Sequence, residues 1–216
     1  LIRRSGGLPV STIGAAIAAG TIDTGNGTVS PRGYKVTDVI PEPTVSLYDK
    51  YLSRFDTVQT LVGGGKPPIE GVYQVTGPWS TTASWSVNSG ESYVIFVNGD
   101  ATIANNITGD PNGFLAILTK GTLSIAPTLG AAAAAIRAPD VTGVFVADGT
   151  FETGDSDEQL VVGGTVIANS IDLQRNLGDL GNLYYPSEQF VNRVDLWLHA
   201  PKEMQDLNYE WKEVAP

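Results

Sequence analysis

The chain has no cysteine and one histidine, His199, which precedes an Ala-Pro pair near the C-terminus. The lack of thiols excludes a disulfide framework and thiolate catalysis within these residues. A single histidine excludes a metal site built on several His or Cys ligands. It also gives no basis for a Ser-His-Asp triad, so we expect His199 to be a partly buried structural residue.

Basic residues are also scarce, because 13 Lys and Arg stand against 23 Asp and Glu and the net charge is −10. Nucleic acids and anionic membrane surfaces require clustered basic side chains, which this sequence does not contain. No apolar run is long enough to be a candidate membrane-spanning helix. We therefore expect no nucleic-acid partner and no membrane insertion within this segment. Because the sequence begins at Leu1, we expect it to be a processed product or a fragment.

Glycine and proline are frequent, with 25 and 13 copies among 216 residues, and apolar residues make up 42% of the chain. This composition is typical of a folded, turn-rich, mainly β protein. One short pattern recurs, in which an apolar run is followed by Gly-Thr or Gly-Asp and another apolar residue. The repeats align on five glycines: Gly20, Gly99, Gly121, Gly149 and Gly164.

Three of the four spacings between these glycines fall in or near the range of lengths of one solenoid coil. One coil cannot bury its apolar face alone, whereas stacked coils bury a continuous core. We therefore predict a mainly β fold, a short parallel β-helix (β-solenoid). Either set of alternate residues in each strand satisfies this fold, since a one-residue slip exchanges the two faces. The preferred ladders of stacked side chains are Ile95/Val97, Leu115/Ile117, Val144/Val146 and Val161.

An antiparallel β-sandwich is the competing architecture, because its short strands carry a similar pattern. The best signal for it is Val97 to Asp100, where an Asn-Gly pair suits a type I′ hairpin. The recurring motif and the scarcity of other two-residue hairpin signals favour the parallel arrangement.

We predict a single domain over residues 1–216, with a helix lying against the solenoid. Apolar residues recur at helical spacing from Val45 to Val62, and three glycines follow. Ser46 with Asp49 suits a capping box, and Thr44 is the alternative cap. The repeat stops after Arg175, and the aromatic-rich remainder is the predicted cap of an otherwise open core. The predicted parts are an early coil at 13–25, a flanking helix at 44–62, coils over 72–175 and a C-terminal cap at 176–216.

The acidic turn from Gly154 to Gln159 is the one candidate metal site. Its Asp155, Asp157 and Glu158 bring together oxygen ligands of the kind that calcium prefers. The turn matches neither the EF-hand loop nor the nonapeptide of calcium-loaded β-rolls. A solvated loop is the preferred interpretation, with calcium as the alternative, and no catalytic or cofactor-binding residue is assigned.

Carboxylates elsewhere raise the question of an enzyme, since polysaccharide hydrolases on parallel β-helices need a pair of them across a groove. Asp148 and Glu152 flank one coil, and Asp100 and Asp172 are predicted on neighbouring faces. Their spacing predicts no compact cluster, and the fold alone does not decide between an enzyme and a structural protein.

The segments "YVIFVNGDATIANN", "GFLAILTKGTLSIAP", "VTGVFVADGTFETG" and "LVVGGTVIANSIDLQRNLG" carry a family resemblance. They resemble the β-solenoid part of bacterial secreted proteins associated with type IV pili, including PilX-like pilus-assembly proteins. The resemblance covers about residues 93–216, and it implies a secreted or cell-surface protein. Bactofilins, which are cytoplasmic filament-forming β-solenoids, look similar at this level.

We therefore expect a non-enzymatic extracellular structural protein, part of or associated with a pilus, a filament or an envelope layer. Its expected partners are proteins, through self-assembly or contact with pilus and envelope components. The alternatives are a carbohydrate-active or carbohydrate-binding β-helix protein and a bactofilin-like polymerising scaffold. The early coil from Ala15 to Gly25 is the predicted segment for strand exchange between copies, because it is far from the other coils in sequence.

Overall fold

The computed structural model describes residues 2–4 and 46–205, and it describes side chains from residue 46 onward. The described residues form one curled sheet in which all pairings between strands are parallel. Its strands are β1 (Ile2–Arg4), β2 (Gln59–Thr60), β3 (Gly71–Thr76), β4 (Trp79–Ser80), β5 (Trp85–Val87), β6 (Ser92–Asn98), β7 (Ala101–Ile103), β8 (Ile107–Gly109), β9 (Phe114–Thr119), β10 (Leu123–Ile125), β11 (Val141–Glu152), β12 (Leu160–Leu173) and β13 (Glu188–Val191).

The helices are short and lie outside the sheet. They are α1 (Leu47–Leu52), α2 (Gly178–Tyr184) and α3 (Val194–Leu198), and a 3₁₀ turn follows at Lys202–Met204. Among the residues that the structure describes, no helix is long and apolar enough to cross a membrane.

The pairing register repeats at nearly constant intervals along the chain. Tyr73 pairs with Ile95 and Ile95 with Ile117, so that these two steps are equal in length. The next step, from Ile117 to Phe145, is longer because an extended loop joins β10 to β11. Phe145 then pairs with Val166, and this step returns to nearly the length of the first two.

This repeat arranges the strands in three parallel rows, and β11 and β12 are long enough to bend through all of them. The first row contains β2, β3, β6, β9 and residues 143–147 and 164–168. The second row contains β4, β7, β10, residues 151–152 and 170–172, and β1. The third row contains β5, β8, residues 141 and 160–163, and β13.

The parallel pairing rules out the antiparallel sandwich. The proposed hairpin at Val97 to Asp100 joins β6 to β7, and these two strands do not pair with each other. Strand β6 pairs with β3 and β9, whereas β7 pairs with β4 and β10. The chain therefore turns at this Asn-Gly pair from the first row into the second. The mainly β class is confirmed, with an all-parallel sheet.

The rows enclose an apolar interior, and the first two predicted ladders lie in it. Ile95 pairs with Ile117 and Tyr93 with Leu115, and Val97 lies in the same buried cluster. Val144 and Val146 were assigned to the wrong face, since Phe145 and Ala147 fill the interior instead. Phe145 is in register with Ile117, and residues in register point to the same side of a sheet. Phe145 therefore faces the interior, as Ile117 does.

Val161 is fully buried, but it belongs to neither hydrophobic cluster. Its neighbours Leu160 and Val162 are the residues that line the interior. Here again the alternate set of residues faces inward.

The outer side of the first row is buried as well, under α1 and the C-terminal segment. All six residues of β9 are buried, as expected for a parallel strand covered on both faces. The ring of Tyr48 on α1 packs edge-on against Phe96 at 5.4 Å, and Phe55 does so at 5.8 Å. Leu196, Ala200 and Met204 from the C-terminal segment complete this second cluster.

The flanking helix is much shorter than the predicted 44–62. Ser46 caps its N-terminus as expected, since its Oγ accepts a hydrogen bond from the Asp49 amide at 3.0 Å. The helix ends at Leu52, and Gln59–Thr60 pairs with β3 as a strand. The apolar spacing in the sequence continues beyond the helix because Phe55, in the turn that follows, also packs on Phe96. Val62, which the prediction placed at the end of the helix, is 89% exposed.

Stacked glycines explain most of the recurring motif. The amide of Gly121 donates to the Gly99 carbonyl, and that of Gly149 donates to the Gly121 carbonyl. A Cβ at Gly121 would lie 2.0 Å from Asp100 Oδ1, so a larger residue would displace the Asp100 side chain from its hydrogen bond with the Thr122 amide. Gly164 was aligned wrongly, because it pairs with Gly143.

The other predicted parts compare with the structure as follows. The strands of the predicted coils run from residue 71 to residue 173. Within the predicted cap, β13 continues the third row beside β12; α2 precedes it in the chain, and α3 and the 3₁₀ turn follow it. The early coil at 13–25, including Gly20, and the last eleven residues lie outside the described part of the chain.

Candidate functional site

Residues 71–173, which contain most of the sheet, carry most of the negative charge of the protein. Residues 71–173 contain ten Asp and Glu and two Lys and Arg, a net charge of −8 out of −10. Residues 174–205 contribute −1, and residues 46–70 are neutral. The part of the chain that builds the sheet is therefore the most acidic part of the protein.

The outer side of the second row is a column of polar residues. In register from one strand to the next these are Ser80, Thr102, Ser124, Glu152 and Asp172. Strand β1 pairs with β12 at the end of this row, with Arg3 in register with Asp172. The column exists because strand residues alternate between the apolar interior and solvent.

Two of the candidate carboxylates meet in this column. Glu152 and Asp172 are direct neighbours across parallel strands. The hydroxyl of Ser124 donates to Glu152 Oε2 at 3.2 Å, and Gln174 Nε2 donates to Asp172 Oδ2 at 2.9 Å. The sequence placed Glu152 beside one coil and Asp172 on a neighbouring face, but it did not predict that they pair.

Asp148 and Asp100 have structural roles instead. The Asp148 carboxylate accepts hydrogen bonds from the Ser46 hydroxyl and from the Leu47 amide, the latter at 2.9 Å, and so holds the start of α1. Asp100 Oδ1 accepts a hydrogen bond from the Thr122 amide at 2.8 Å and fixes the turn at Gly121. Among the described residues, no hydrogen bond joins either of them to Glu152 or Asp172.

The candidate calcium loop does not form a metal cage in the described structure. Asp155 and Asp157 are exposed, and Glu158 is half-buried. Within residues 46–205, no group of three or more His, Cys, Asp or Glu side chains is arranged to hold a metal ion. The arrangement of these three side chains therefore gives the calcium alternative no support.

His199 is exposed rather than partly buried, which corrects the expectation for this residue. It ends α3, and its Nδ1 lies 2.9 Å from the Asp195 carbonyl oxygen. The short helix leaves its last turn in solvent, since the buried Leu196 provides its contact with the sheet.

A buried polar corner that the sequence did not reveal surrounds Arg175. This side chain is 2% exposed and donates to four backbone carbonyls, those of Ala126, Leu129, Thr153 and Glu158. Burial lowers the pKa of its guanidinium. The Arg175 amide donates to Glu188 Oε1 at 2.8 Å, so the corner ties the loop after β12 to β13.

The long loop between β10 and β11 is fixed to the same corner. Gln159 Oε1 accepts from the Ala134 amide, and its Nε2 donates to the Pro186 carbonyl. Arg137 forms an ion pair with the buried Asp140 at 2.8 Å. Side chains at loop ends hold this region, and isolated charges in a sequence give no signal of such a network.

A shallow groove of about 480 Å³ lies between the turn after α1 and the start of β3 and β6. Asp56, Glu70 and Glu203 stand around it, with Phe55, Val72 and Val94 in its wall. No described side chain in the groove forms a catalytic arrangement with a histidine or a metal cluster.

Apolar side chains are exposed along the C-terminal segment, where Tyr184 is 72% and Trp197 is 41% exposed. The other large exposed apolar residues of this segment are Leu180, Leu183, Val191, Val194 and Leu198.

Comparisons with models of protein families, with curated proteins and with solved structures gave no match for this chain.

Proposed function

We propose that the protein is a non-enzymatic structural module of the bacterial cell surface or of a secreted filament, and that its three rows are the faces of a short β-solenoid. The observation that supports this proposal most is the ladder of the first row, which is buried on its inner and outer sides across successive strands. A sheet that is packed on both faces resists bending and suits a rigid spacer.

The distribution of charge supports an outward-facing role. The net charge of −8 on residues 71–173 keeps side-by-side copies apart, because like charges repel at short range in water. The exposed apolar residues of the C-terminal segment provide surface for a protein partner from the pilus, filament or envelope.

The solenoid geometry has a direct test, because the chain contains no cysteine of its own. Thr102 and Ser124 are in register on adjacent strands, so T102C/S124C is expected to form a disulfide that closes a loop between neighbouring coils. The variant S80C/S124C is the matched control, since Thr102 lies between its two positions in the column. Equal cross-linking of both pairs would contradict the stacked-coil arrangement.

Immunogold electron microscopy on intact source cells tests the function itself. Antibody raised against this chain is expected to label appendages or the outer envelope, and antibody absorbed with the purified protein is the control. Label confined to the cytoplasm would overturn the surface role and favour a bactofilin-like scaffold. Protein shed freely into the medium would favour the secreted carbohydrate enzyme.

The neighbouring carboxylates Glu152 and Asp172 are the observation that favours a carbohydrate-active or carbohydrate-binding protein as the second candidate. Pairs of carboxylates perform glycoside hydrolysis, and a flat polar column also suits hydroxyl-rich polymers. A polysaccharide panel tests this function, with E152Q/D172N as the inactive variant and D179N, at an exposed carboxylate of α2 outside the column, as the matched control. Binding or cleavage that disappears only in E152Q/D172N would support this candidate.

A further inference from the structure

The three rows end differently at the β12 end of the sheet. In the third row β13 pairs with Leu160–Gly163, and in the second row β1 pairs with Ile171–Leu173. In the first row, residues 164–168 of β12 pair with β11 on one side and with no described strand on the other. At this end the first row is therefore one strand shorter than its two neighbours.

The burial of the first row decreases at this last strand. In β6, β9 and β11, the three residues at the middle of the row are each at most 2% exposed. The residues of β12 in register with them are Thr165, Val166 and Ile167, and all three are partly exposed. One further strand would bury these positions as their counterparts in the earlier strands are buried.

The surroundings of this edge define the chemistry of such a strand. Val166 packs against the interior cluster, and Ile167 packs against the outer cluster that α1 and the C-terminal segment cover. No residue from Leu160 to Ile171 is charged, in a chain with a net charge of −10. A strand that is covered on both faces is apolar nearly throughout, as β9 is. The strand that fits here is therefore uncharged and apolar on both faces.

The open position is a slot and not a flat edge. Strands β13 and β1 extend the neighbouring rows by one strand, a spacing of about 4.8 Å. The rigid edge of another sheet would meet these two strands before it reached the backbone of residues 164–168. A single extended segment fits between them. This geometry favours a flexible segment of a partner over the sheet edge of a second copy.

We propose that this first-row slot, residues 164–168 of β12 between β13 and β1, binds an extended, uncharged segment of a partner protein as one more parallel strand. Main-chain hydrogen bonds hold such a segment, and its apolar side chains pack on Val166 and Ile167. This inference deepens the proposed structural role, because it gives the chemistry of the partner. Its test uses purified protein and is independent of where the protein is found in cells.

Hydrogen exchange on the unmodified chain tests whether the slot is open. Strand β12 pairs here on one side only, so some amides of residues 165–168 have no partner strand and are expected to exchange fast. A synthetic peptide with the sequence of residues 141–149, which contains the preceding first-row strand, is the probe. It is expected to slow this exchange by about tenfold or more. The control is the same peptide with proline in place of both Val144 and Phe145, which removes two amide donors and is expected to give no protection.

A charge in the slot provides a second measurement. Ile167→Lys places an ammonium group at the accepting edge, and lysine on an edge strand opposes the addition of a further strand. Calorimetry is expected to show at least about tenfold weaker binding of the peptide to this variant. Thr102→Lys is the matched control, because Thr102 is also partly exposed but lies in the second row, and its binding is expected to be unchanged. Denaturation midpoints establish that both variants are folded.

The absence of protection by the peptide would overturn the proposal. Slow exchange at residues 165–168 without the peptide would also overturn it. In a monomer, that result would mean that another segment of the same chain fills the slot. In a particle whose mass by light scattering rises with concentration, it would mean that a second copy does. Peptide binding combined with cytoplasmic labelling would reject the surface role and keep the slot, whereas envelope labelling without peptide binding would reject the slot alone.

Discussion

The first and second rows are built on the same parallel ladder, but they are covered differently. In the first row, β9 is buried at all six positions, because the interior lies on one side and α1 with the C-terminal segment on the other. In the second row, β7 and β10 bury only their first and third residues, and the middle residue is half-exposed. The first row therefore contributes most to stability, whereas the second row presents polar groups to solvent.

The covering of the first row depends on contacts that are distant in sequence. Helix α1 precedes the sheet, and yet Asp148 of β11 holds its N-terminus. Lys120 adds an exposed ion pair with Asp49 at 2.9 Å, and its Nζ lies 5.1 Å from the centre of the Tyr48 ring. The second row has no such cover among residues 46–205, and its outer side stays polar.

The largest expected effect comes from removing a side chain between α1 and the first row. Phe96 is fully buried against the rings of Tyr48 and Phe55, so Phe96→Ala is expected to lower the free energy of unfolding by about 3–5 kcal/mol. Chemical denaturation followed by tryptophan fluorescence measures this loss. The control Thr102→Ala, on the outer side of the second row, is expected to change it by less than about 0.5 kcal/mol. Equal losses in both variants would contradict the comparison of the rows.

The sequence predicted the interior of the sheet better than its exterior. The motif around Gly99, Gly121 and Gly149 predicted parallel stacking, because close contact between glycine turns leaves a local signal. The phase of Val144 and Val146 was missed, since both faces of the first row are apolar and periodicity cannot distinguish them. The end of α1 was missed for the related reason that Phe55 continues the helical spacing beyond the helix.

The polar contacts were the least predictable part. Arg175 donates to carbonyls of two separate loops, and Asp148 caps a helix about a hundred residues away. Such partners are set by the tertiary structure and not by neighbouring residues. The pairing of Glu152 with Asp172 likewise depends on the register between β11 and β12, which includes an irregularity after Ala147.

The glycine turns between the two rows provide the next test. A methyl group at Gly121 would collide with the Asp100 carboxylate and approach the Gly99 carbonyl at 3.1 Å. Gly121→Ala is therefore expected to lower the free energy of unfolding by about 1–3 kcal/mol. Gly65→Ala is the control, because no atom lies within 4 Å of the added carbon, and it is expected to be nearly neutral. An unchanged denaturation midpoint for Gly121→Ala would show that the turns are not closely packed.

A smaller effect is expected from releasing the start of α1. Asp148→Ala removes the carboxylate that accepts hydrogen bonds from Ser46 and from the Leu47 amide, and the expected cost is about 1–2 kcal/mol. Hydrogen exchange at the amides of residues 47–52 is expected to become faster, while exchange within β10 of the second row stays unchanged. Asp49→Ala, which removes an exposed ion pair, is the control with an expected loss below about 0.5 kcal/mol. Faster exchange throughout the sheet would contradict a local role for Asp148.

The smallest expected effect is a pH dependence at the edge of the first row. Lys66 lies 2.6 Å from Glu91 Oε2, and its hydrogen bond lowers the pKa of the Glu91 carboxyl below the usual 4.5. A carboxyl whose pKa is lowered by folding stabilises the protein above its unfolded pKa, and this contribution disappears as the pH falls through the lowered value. Glu91→Gln is therefore expected to cost at most about 1 kcal/mol at pH 7, and the difference from the unmodified chain should vanish in acid. Thr102→Ala serves again as the control, because its small effect is expected to be independent of pH. A difference in the free energy of unfolding that persists at low pH would mean that Glu91 stabilises the protein through packing and hydrogen bonds that do not require its charge.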